Sequence, residues 1–363
     1  MLFPLLQFVA SAVVIGVAAV YLTRYADAIA ELTKFGRLLV GSVLLAGATS
    51  LPELAVDISA VRMGAADLAI GDLMGSSLFN LLILAVLDLS VFSRGRMLSR
   101  QGAAHALSGT FSASMAAIVA IGLLTSRHFP AYSLLNVSPS IAVIAIAYVA
   151  GVRLVYLDQR MAATGGGEHP PQEMPTPPGI TLTQAAVGFA VCALVIVATG
   201  PFLAGSADQL AKLSGLGNTF VGTTLVALTT SLPELVSMIA ALRMNAPDLV
   251  IGNVFGSNAF NMLLLLPLDL ITSAPLLAMV SQRHAVTCVA SILATQVVVL
   301  GQLYQVERRT RFLDPDAWLV VAIVLAALAL IYYLPDGDAA EPKSAEFTGE
   351  VLTNTSREYG AGS

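Results

Sequence analysis

Residues 41–89 and 222–270 align without a gap, and 27 of the 49 paired positions are identical, so the chain carries two copies of one segment. No other feature constrains the fold as tightly. The offset of 181 residues is half of the 363-residue length, which makes the whole chain a duplication. What each copy folds into follows from hydropathy. Only 11% of residues are charged and 56% are apolar, where a soluble domain carries about 25% charged residues. Apolar runs of membrane-spanning length recur throughout, and ten are expected: 3–23, 35–61, 67–92, 105–125, 138–157, 180–204, 217–242, 248–272, 283–305 and 316–334. Five fall in each half. Because five is odd, the second copy must enter the bilayer from the side opposite to the first. The expected architecture is therefore an all-α membrane protein of ten transmembrane helices, built as two inverted five-helix repeats.

The first repeat is assigned to residues 1–161 and the second to 180–334. Between them, 162–179 is rich in Gly and Pro and reads as a flexible linker, too short for a regulatory domain. Residues 335–363 are polar and read as a disordered tail. Lys and Arg fall twelve to six on alternate sides of the expected spans. The richer side should be cytoplasmic, which puts the linker inside the cell and both termini outside the cytoplasm of a multi-pass cell-membrane protein. The first span lacks a basic leader, and its apolar run is too long for a cleaved signal. Cys192 and Cys288 lie inside expected spans as small apolar residues, with no disulfide or metal pattern. No basic stretch suggests nucleic acid, and nothing predicts a protein partner.

The chemistry is concentrated in Thr49-Ser50-Leu51-Pro52-Glu53, which lies mid-span and returns as Thr230-Ser231-Leu232-Pro233-Glu234. A charge at the bilayer centre costs about 2.5–3.5 kcal/mol on insertion scales. A proline inside a helix costs about 3 kcal/mol more. Each copy bears both burdens at matching positions, and no mid-span Lys or Arg is available to pair with the glutamates. The prolines are expected to free carbonyls near Ala46 and Thr49, and near Ala227 and Thr230. Irregular backbone at membrane depth is tolerated where it lines a cavity or binds ions. Carbonyls, hydroxyls and carboxylates are hard donors suited to Ca²⁺ or Na⁺. Two glutamates meeting between the halves would offer up to about four oxygens to a Ca²⁺ that takes about six to eight, and two negative charges match one divalent ion.

The following helix adds Gly75-Ser76 and Asn80, repeated as Gly256-Ser257 and Asn261. Ser and Asn four residues apart share a helix face, and their oxygens suit a monovalent ion. A plain hydrogen bond between helices is the alternative role for Ser76 and Ser257. Glycines 71, 75, 252 and 256 run at the spacing that brings helices close together, whatever the function.

At these residues the chain resembles the α-repeats of the prokaryotic sodium/calcium exchanger, or Ca²⁺:cation antiporter, superfamily. The resemblance covers roughly 100 residues in the doubled Thr-Ser-Leu-Pro-Glu and Gly-Ser-x-x-x-Asn blocks. It implies exchange of Na⁺ for Ca²⁺ by alternating access, the first and sixth spans sliding over a core of the second, third, seventh and eighth. Glu53 and Glu234 would be central Ca²⁺ ligands shared with Na⁺, joined by the backbone carbonyls of Thr49 and Thr230. Ala46, Thr49 and Ser76 would form one flanking Na⁺ site, and Ala227, Thr230 and Ser257 its mirror. Ser50 and Ser231 would line these sites, with Asn80 and Asn261 in the middle. The ions would be cargo; no resident cofactor and no enzymatic reaction are implied, and the surrounding partner is the lipid bilayer.

The chain departs from the family pattern in three places. Some members carry Asp at one of the two Asn positions; both are Asn here, which argues against K⁺ co-transport. Asp57 stands where the second copy has Met238, and Asp72 where it has Asn253. These unmatched carboxylates mark an extra cation or proton site, or else Asp57 faces a watery vestibule. Ca²⁺/H⁺ exchange at the same carboxylates is therefore the competing transport function. An intramembrane aspartyl protease built on Asp57 and Asp72 would lack any matching motif, and a passive channel would conduct without a counter-ion. Among the blander residues, Arg62, Asp67, Arg243 and Asp248 should pair or face water near short turns. Asp88 and Asp269 should bond locally near helix ends. His105, His284 and Trp318 suit the membrane interface.

Overall fold

In lipid every backbone polar group must be satisfied within the chain, and an uninterrupted apolar run can do so only as a helix. The computed structural model describes residues 2–33, 37–62, 64–90, 102–126, 137–164, 179–214, 227–228, 230–304 and 315–333, and these are almost wholly helical. The first half holds α1 (Leu2–Thr33), a single turn α2 (Arg37–Val40) and a π-helical turn (Gly41–Leu45). Then come α3 (Ala46–Thr49), α4 (Leu51–Arg62), α5 (Ala66–Leu89), α6 (Gly102–Thr125) and α7 (Pro139–Thr164). The second half holds α8 (Leu182–Ser214), α9 (Leu232–Arg243), α10 (Pro247–Leu270), a turn α11 (Leu276–Met279), α12 (His284–Tyr304) and α13 (Pro315–Tyr333).

Seven of these helices are long and apolar enough to cross a membrane: α1, α5, α6, α7, α8, α10 and α12. An eighth crossing is supplied if Gly41–Thr49 and α4, bent by 46° relative to each other, count as one broken span. The chain is thus an all-α, multi-pass integral membrane protein. Of the remaining expected spans, α13 contributes a shorter apolar stretch, Pro315–Ile331. The expected seventh span is described only in part, because 217–226 lie outside the described residues. So do 165–178 of the linker, while α7 runs on through the linker's first residues to Thr164. The tail 335–363 also lies outside them, as do Lys34 and the arginines at 94, 96, 100, 127, 308, 309 and 311.

Burial sorts the helices into a centre and a rim. The apolar windows of α5 and α10 are 72% and 83% buried, against 17% for α8 and 22% for α7. Peripheral helices keep Ile146, Val149, Val187 and Leu194 exposed, which in a membrane means facing lipid. The packing follows the repeat. α1 lies along α8, α6 along α12 and α5 along α10, so that these three helices each meet their own counterpart. The crosswise contacts also come in matched pairs: α1 with α9 and α8 with α4, then α5 with α12 and α10 with α6.

Polar ties at the helix ends are exchanged in the same way. His105 Nε2 lies 3.1 Å from Asp248 Oδ1, and His284 Nε2 lies 3.1 Å from Asp67 Oδ1, each histidine reaching into the other half. His105 is buried within the protein. Asp269 does more than bond locally. It accepts from the Leu276 amide at 2.8 Å, and also from the Ser138 amide at 2.7 Å and hydroxyl at 3.0 Å across the chain, capping the start of α7.

Candidate cation-binding site

The broken span is where the repeat motif sits. Ser50 separates α3 from α4 with φ −89° and ψ 3°, and Ser231 precedes α9 with φ −79° and ψ 5°. The same irregular residue therefore recurs at the same place in both copies. Pro52 and Pro233 fall in the first turn of the helix that follows, where a missing N–H leaves no bond unmade. This corrects the expectation of an interior proline that costs stability: the helix ends before the proline instead of tolerating it. The carbonyls of Ala46 and Ala227 are also not free. Ala46 O accepts from the Ser50 amide at 3.0 Å and the Thr49 hydroxyl at 3.2 Å. Ala227 O accepts from the Ser231 amide at 3.1 Å and the Thr230 hydroxyl at 3.2 Å.

The break aims Glu53 and Glu234, each in the first turn of its helix, into the contact between the two halves. Both are 1% exposed. The Ser50 hydroxyl donates to Glu234 Oε1 at 3.3 Å, joining motif residues of opposite copies. Glu53 lies near enough to Glu234, Asp72 and Asp57 for their charges to act on it. Thr49, Thr230, Ser50, Ser231, Ser76, Ser257, Asn80, Asn261, Asp57, Asp72, Ala46 and Ala227 are all buried with them. Asp57 is completely buried and adjoins Asp72, which removes the vestibule alternative for that residue.

The cross-links between the copies are again reciprocal. The Thr49 hydroxyl reaches Asn253 Oδ1 at 3.4 Å, and the Thr230 hydroxyl reaches Asp72 Oδ1 at 3.3 Å. A methyl group placed on Gly75 would lie 3.4 Å from the Ala227 side chain, and one on Gly256 would strike the Ser42 backbone. These contacts show which helix of the other copy each broken segment faces. Ala46 and Thr49 face α10, which carries Ser257, while Ala227 and Thr230 face α5, which carries Ser76. The halves interleave, and a broken helix packs on the other copy's unbroken one.

Several polar atoms in this region have no hydrogen-bond donor: Glu53 Oε2, Glu234 Oε2, Asp72 Oδ2, both oxygens of Asp57, and the amide oxygens of Asn80 and Asn261. The hydroxyls of Ser76, Ser257 and Ser231 are equally unpartnered. A buried oxygen without a donor costs about 1–3 kcal/mol, and more when charged, so a concentration of them calls for cations. Among the described residues no three acidic, histidine or cysteine side chains converge on one ion position. A cage here would be mixed, with carboxylates joined by amide, hydroxyl and main-chain oxygens, as hard cations accept.

Two residues outside the motif complete the frame. Asn258 accepts from Asn80 Nδ2 at 3.0 Å and donates to the Ser77 carbonyl at 3.1 Å, which ties α10 to α5 beside the glutamates. Ser237 accepts from Asn253 Nδ2 at 3.0 Å and donates to the Glu234 carbonyl at 2.8 Å. Sequence reasoning passes over both, although each lies one helical turn from a motif residue, at positions 261 − 3 and 234 + 3.

Residues 3–157 and 184–352 match the family model described as sodium/calcium exchanger protein. The chain is 26% identical to the putative antiporter CaxA of Alkalimonas amylolytica over 304 residues, covering 78% of this chain and 86% of that one. It is 42% identical over 78 residues to the sodium/calcium exchanger MaX1 of Methanosarcina acetivorans, 22% of each chain. Among solved structures, the sodium-calcium exchanger NCX_Mj soaked with 2.5 mM Na⁺ and 1 mM Sr²⁺ superposes with a TM-score of 0.62. That match has 19% identity and covers 90% of this chain and 97% of that one.

Proposed function

Since the chain belongs to the sodium/calcium exchanger family, we propose that it is a secondary antiporter that exchanges Na⁺ for Ca²⁺ by alternating access. One observation carries this reading: Glu53 and Glu234, one from each copy, are buried within reach of each other's charge, and each has a carboxylate oxygen without a donor. Two such charges fit one Ca²⁺, with the carbonyls of Thr49 and Thr230 and the amides of Asn80 and Asn261 completing its shell. Na⁺ ions would take the same glutamates together with the flanking groups, Ala46, Thr49 and Ser257 on one side and Ala227, Thr230 and Ser76 on the other. Ser50 and Ser231 line both. Because the two loads compete for Glu53 and Glu234, the site cannot hold both at once, and the empty site, doubly charged in low dielectric, resists crossing. That competition is what couples the two fluxes.

The same reading gives the chain ten spans in two inverted repeats, residues 1–161 and 180–334, with the linker 162–179 cytoplasmic and both termini outside the cytoplasm. Inverted copies place equivalent residues at one depth, and the reciprocal pairs Thr49–Asn253 and Thr230–Asp72 support it. α1 and α8, which pack along each other at the rim, would slide over the core to open one side and then the other. The test is ⁴⁵Ca²⁺ uptake into proteoliposomes under an outward Na⁺ gradient. Glu53→Gln and Glu234→Gln should each abolish uptake while the protein still inserts and purifies as a single species. Uptake that survives both substitutions would refute the site. Uptake driven by a pH gradient alone, and not by Na⁺, would instead assign the counter-ion as H⁺.

A further inference from the structure

The second copy shows how the positions of Asp57 and Asp72 are satisfied when no ion is involved. There Asn253 replaces Asp72, accepts from the Thr49 hydroxyl and donates to the Ser237 hydroxyl. Met238 replaces Asp57, is fully buried and needs no partner. In the first copy the corresponding frame is short of donors. Val56 stands at the position of Ser237, so no hydroxyl is offered from that side. Thr230 satisfies only Oδ1 of Asp72, and three oxygens remain buried without a donor: Oδ2 of Asp72 and both of Asp57. The two carboxyl groups adjoin each other where α4 packs on α5. One helical turn beyond Asp72, on the same face of α5, the Ser76 hydroxyl is also fully buried and unpartnered.

From this contrast we propose that Asp57 and Asp72, with the Ser76 hydroxyl bridging to the flanking position it also serves, form an additional Na⁺ site, present in the first half and absent from the second. The site rests on the exchange reading above and enlarges it: the binding chamber becomes asymmetric, with one more Na⁺ position than the repeat by itself provides. A proton shared between the two aspartates would satisfy one oxygen of each and leave the second oxygen of Asp57 stranded in a dry position. A cation between them satisfies all three oxygens, with the Ser76 hydroxyl adding a neutral ligand. Ca²⁺ takes about six to eight oxygens, more than this corner offers, and a monovalent ion fits the smaller set once one of the two carboxyl groups keeps its proton, which leaves a single negative charge to match it.

The experiment counts ions without relying on transport. Binding of ²²Na⁺ to the purified protein is measured at saturating Na⁺ in a scintillation-proximity format. The comparison is with Asp57→Met plus Asp72→Asn, which gives the first copy the residues the second copy already accommodates, and with Asp57→Asn alone, which keeps the side chain's shape. Wild type should bind one more Na⁺ per chain than either variant, with all three proteins monodisperse in Na⁺-free detergent. Equal counts would overturn the proposal and leave the shared proton as the explanation. The exchange reading fails separately, by ⁴⁵Ca²⁺ uptake that persists after the glutamate substitutions, even where the difference of one Na⁺ is found.

Discussion

Gly75 and Gly256 occupy the same position in the two copies, and sequence alone would assign them the same tolerance for a methyl group. The packing around them differs. A Cβ at Gly256 would lie 2.3 Å from the carbonyl oxygen of Ser42, 2.4 Å from its Cα and 2.7 Å from its carbonyl carbon. All three are main-chain atoms, so no rotamer change relieves the contact. Restoring an ordinary 3.4 Å separation requires the π-helical turn Gly41–Leu45 to retreat from α10 by about 1.1 Å. A Cβ at Gly75 would instead meet the Ala227 side chain at that same ordinary 3.4 Å. Both substitutions gain roughly 1 kcal/mol of helix propensity, which cancels in the comparison. What remains is the clash, about 1–3 kcal/mol for overpacking, and here the upper end applies because backbone must move. Gly75→Ala should therefore be neutral or slightly stabilising, and Gly256→Ala should be less stable than Gly75→Ala by up to about 3 kcal/mol. Thermal unfolding of the detergent-solubilised protein, followed by size exclusion after heating, measures the order. The retreat would also stretch the 3.4 Å contact between Thr49 and Asn253 one turn away, so ⁴⁵Ca²⁺ uptake should fall for Gly256→Ala and hold for Gly75→Ala. Equal losses in the two variants would refute the crosswise packing on which this reasoning depends.

Two further substitutions probe the frame of the site. Asp269→Asn would turn an acceptor of three bonds, from Leu276 and twice from Ser138, into a group with one amide facing donors. It should lower stability by about 1–3 kcal/mol in the same thermal assay, and an unchanged midpoint would contradict the cap. Asn258→Ala removes the 3.0 Å and 3.1 Å bonds that tie α10 to Asn80 and Ser77. It should cost about 1–3 kcal/mol and lower the affinity for Ca²⁺, read as a rise in the half-saturating concentration in uptake; an unaltered value would mean that Asn258 does not hold the site.

Much of this protein is legible in its residues alone. The duplication, the membrane class and the position of the helix break all follow from the repeat and its hydropathy, because a mid-span carboxylate beside a proline has few explanations in lipid. The roles of His105, Asp269, Asn258 and Ser237 are not legible in that way, and for three of them the reason is the same. Their partners lie across the chain: Asp248 is 143 residues from His105, Ser138 is 131 from Asp269 and Asn80 is 178 from Asn258. No local pattern records such a contact. Ser237 is nearer to Asn253 in sequence, but the two meet only because α9 folds back on α10.

Sequence by itself determined that two acidic motifs exist, that they match, and that Asp57 and Asp72 have no counterparts. Tertiary structure alone decided which residues of opposite copies meet: Thr49 with Asn253, and Thr230 with Asp72. The physical reason is that periodicity reports which face of a helix is buried, whereas the neighbour on that face is chosen by how two copies of the same surface interleave. Only that interleaving turns a pair of identical glycines into one that tolerates a methyl group and one that does not.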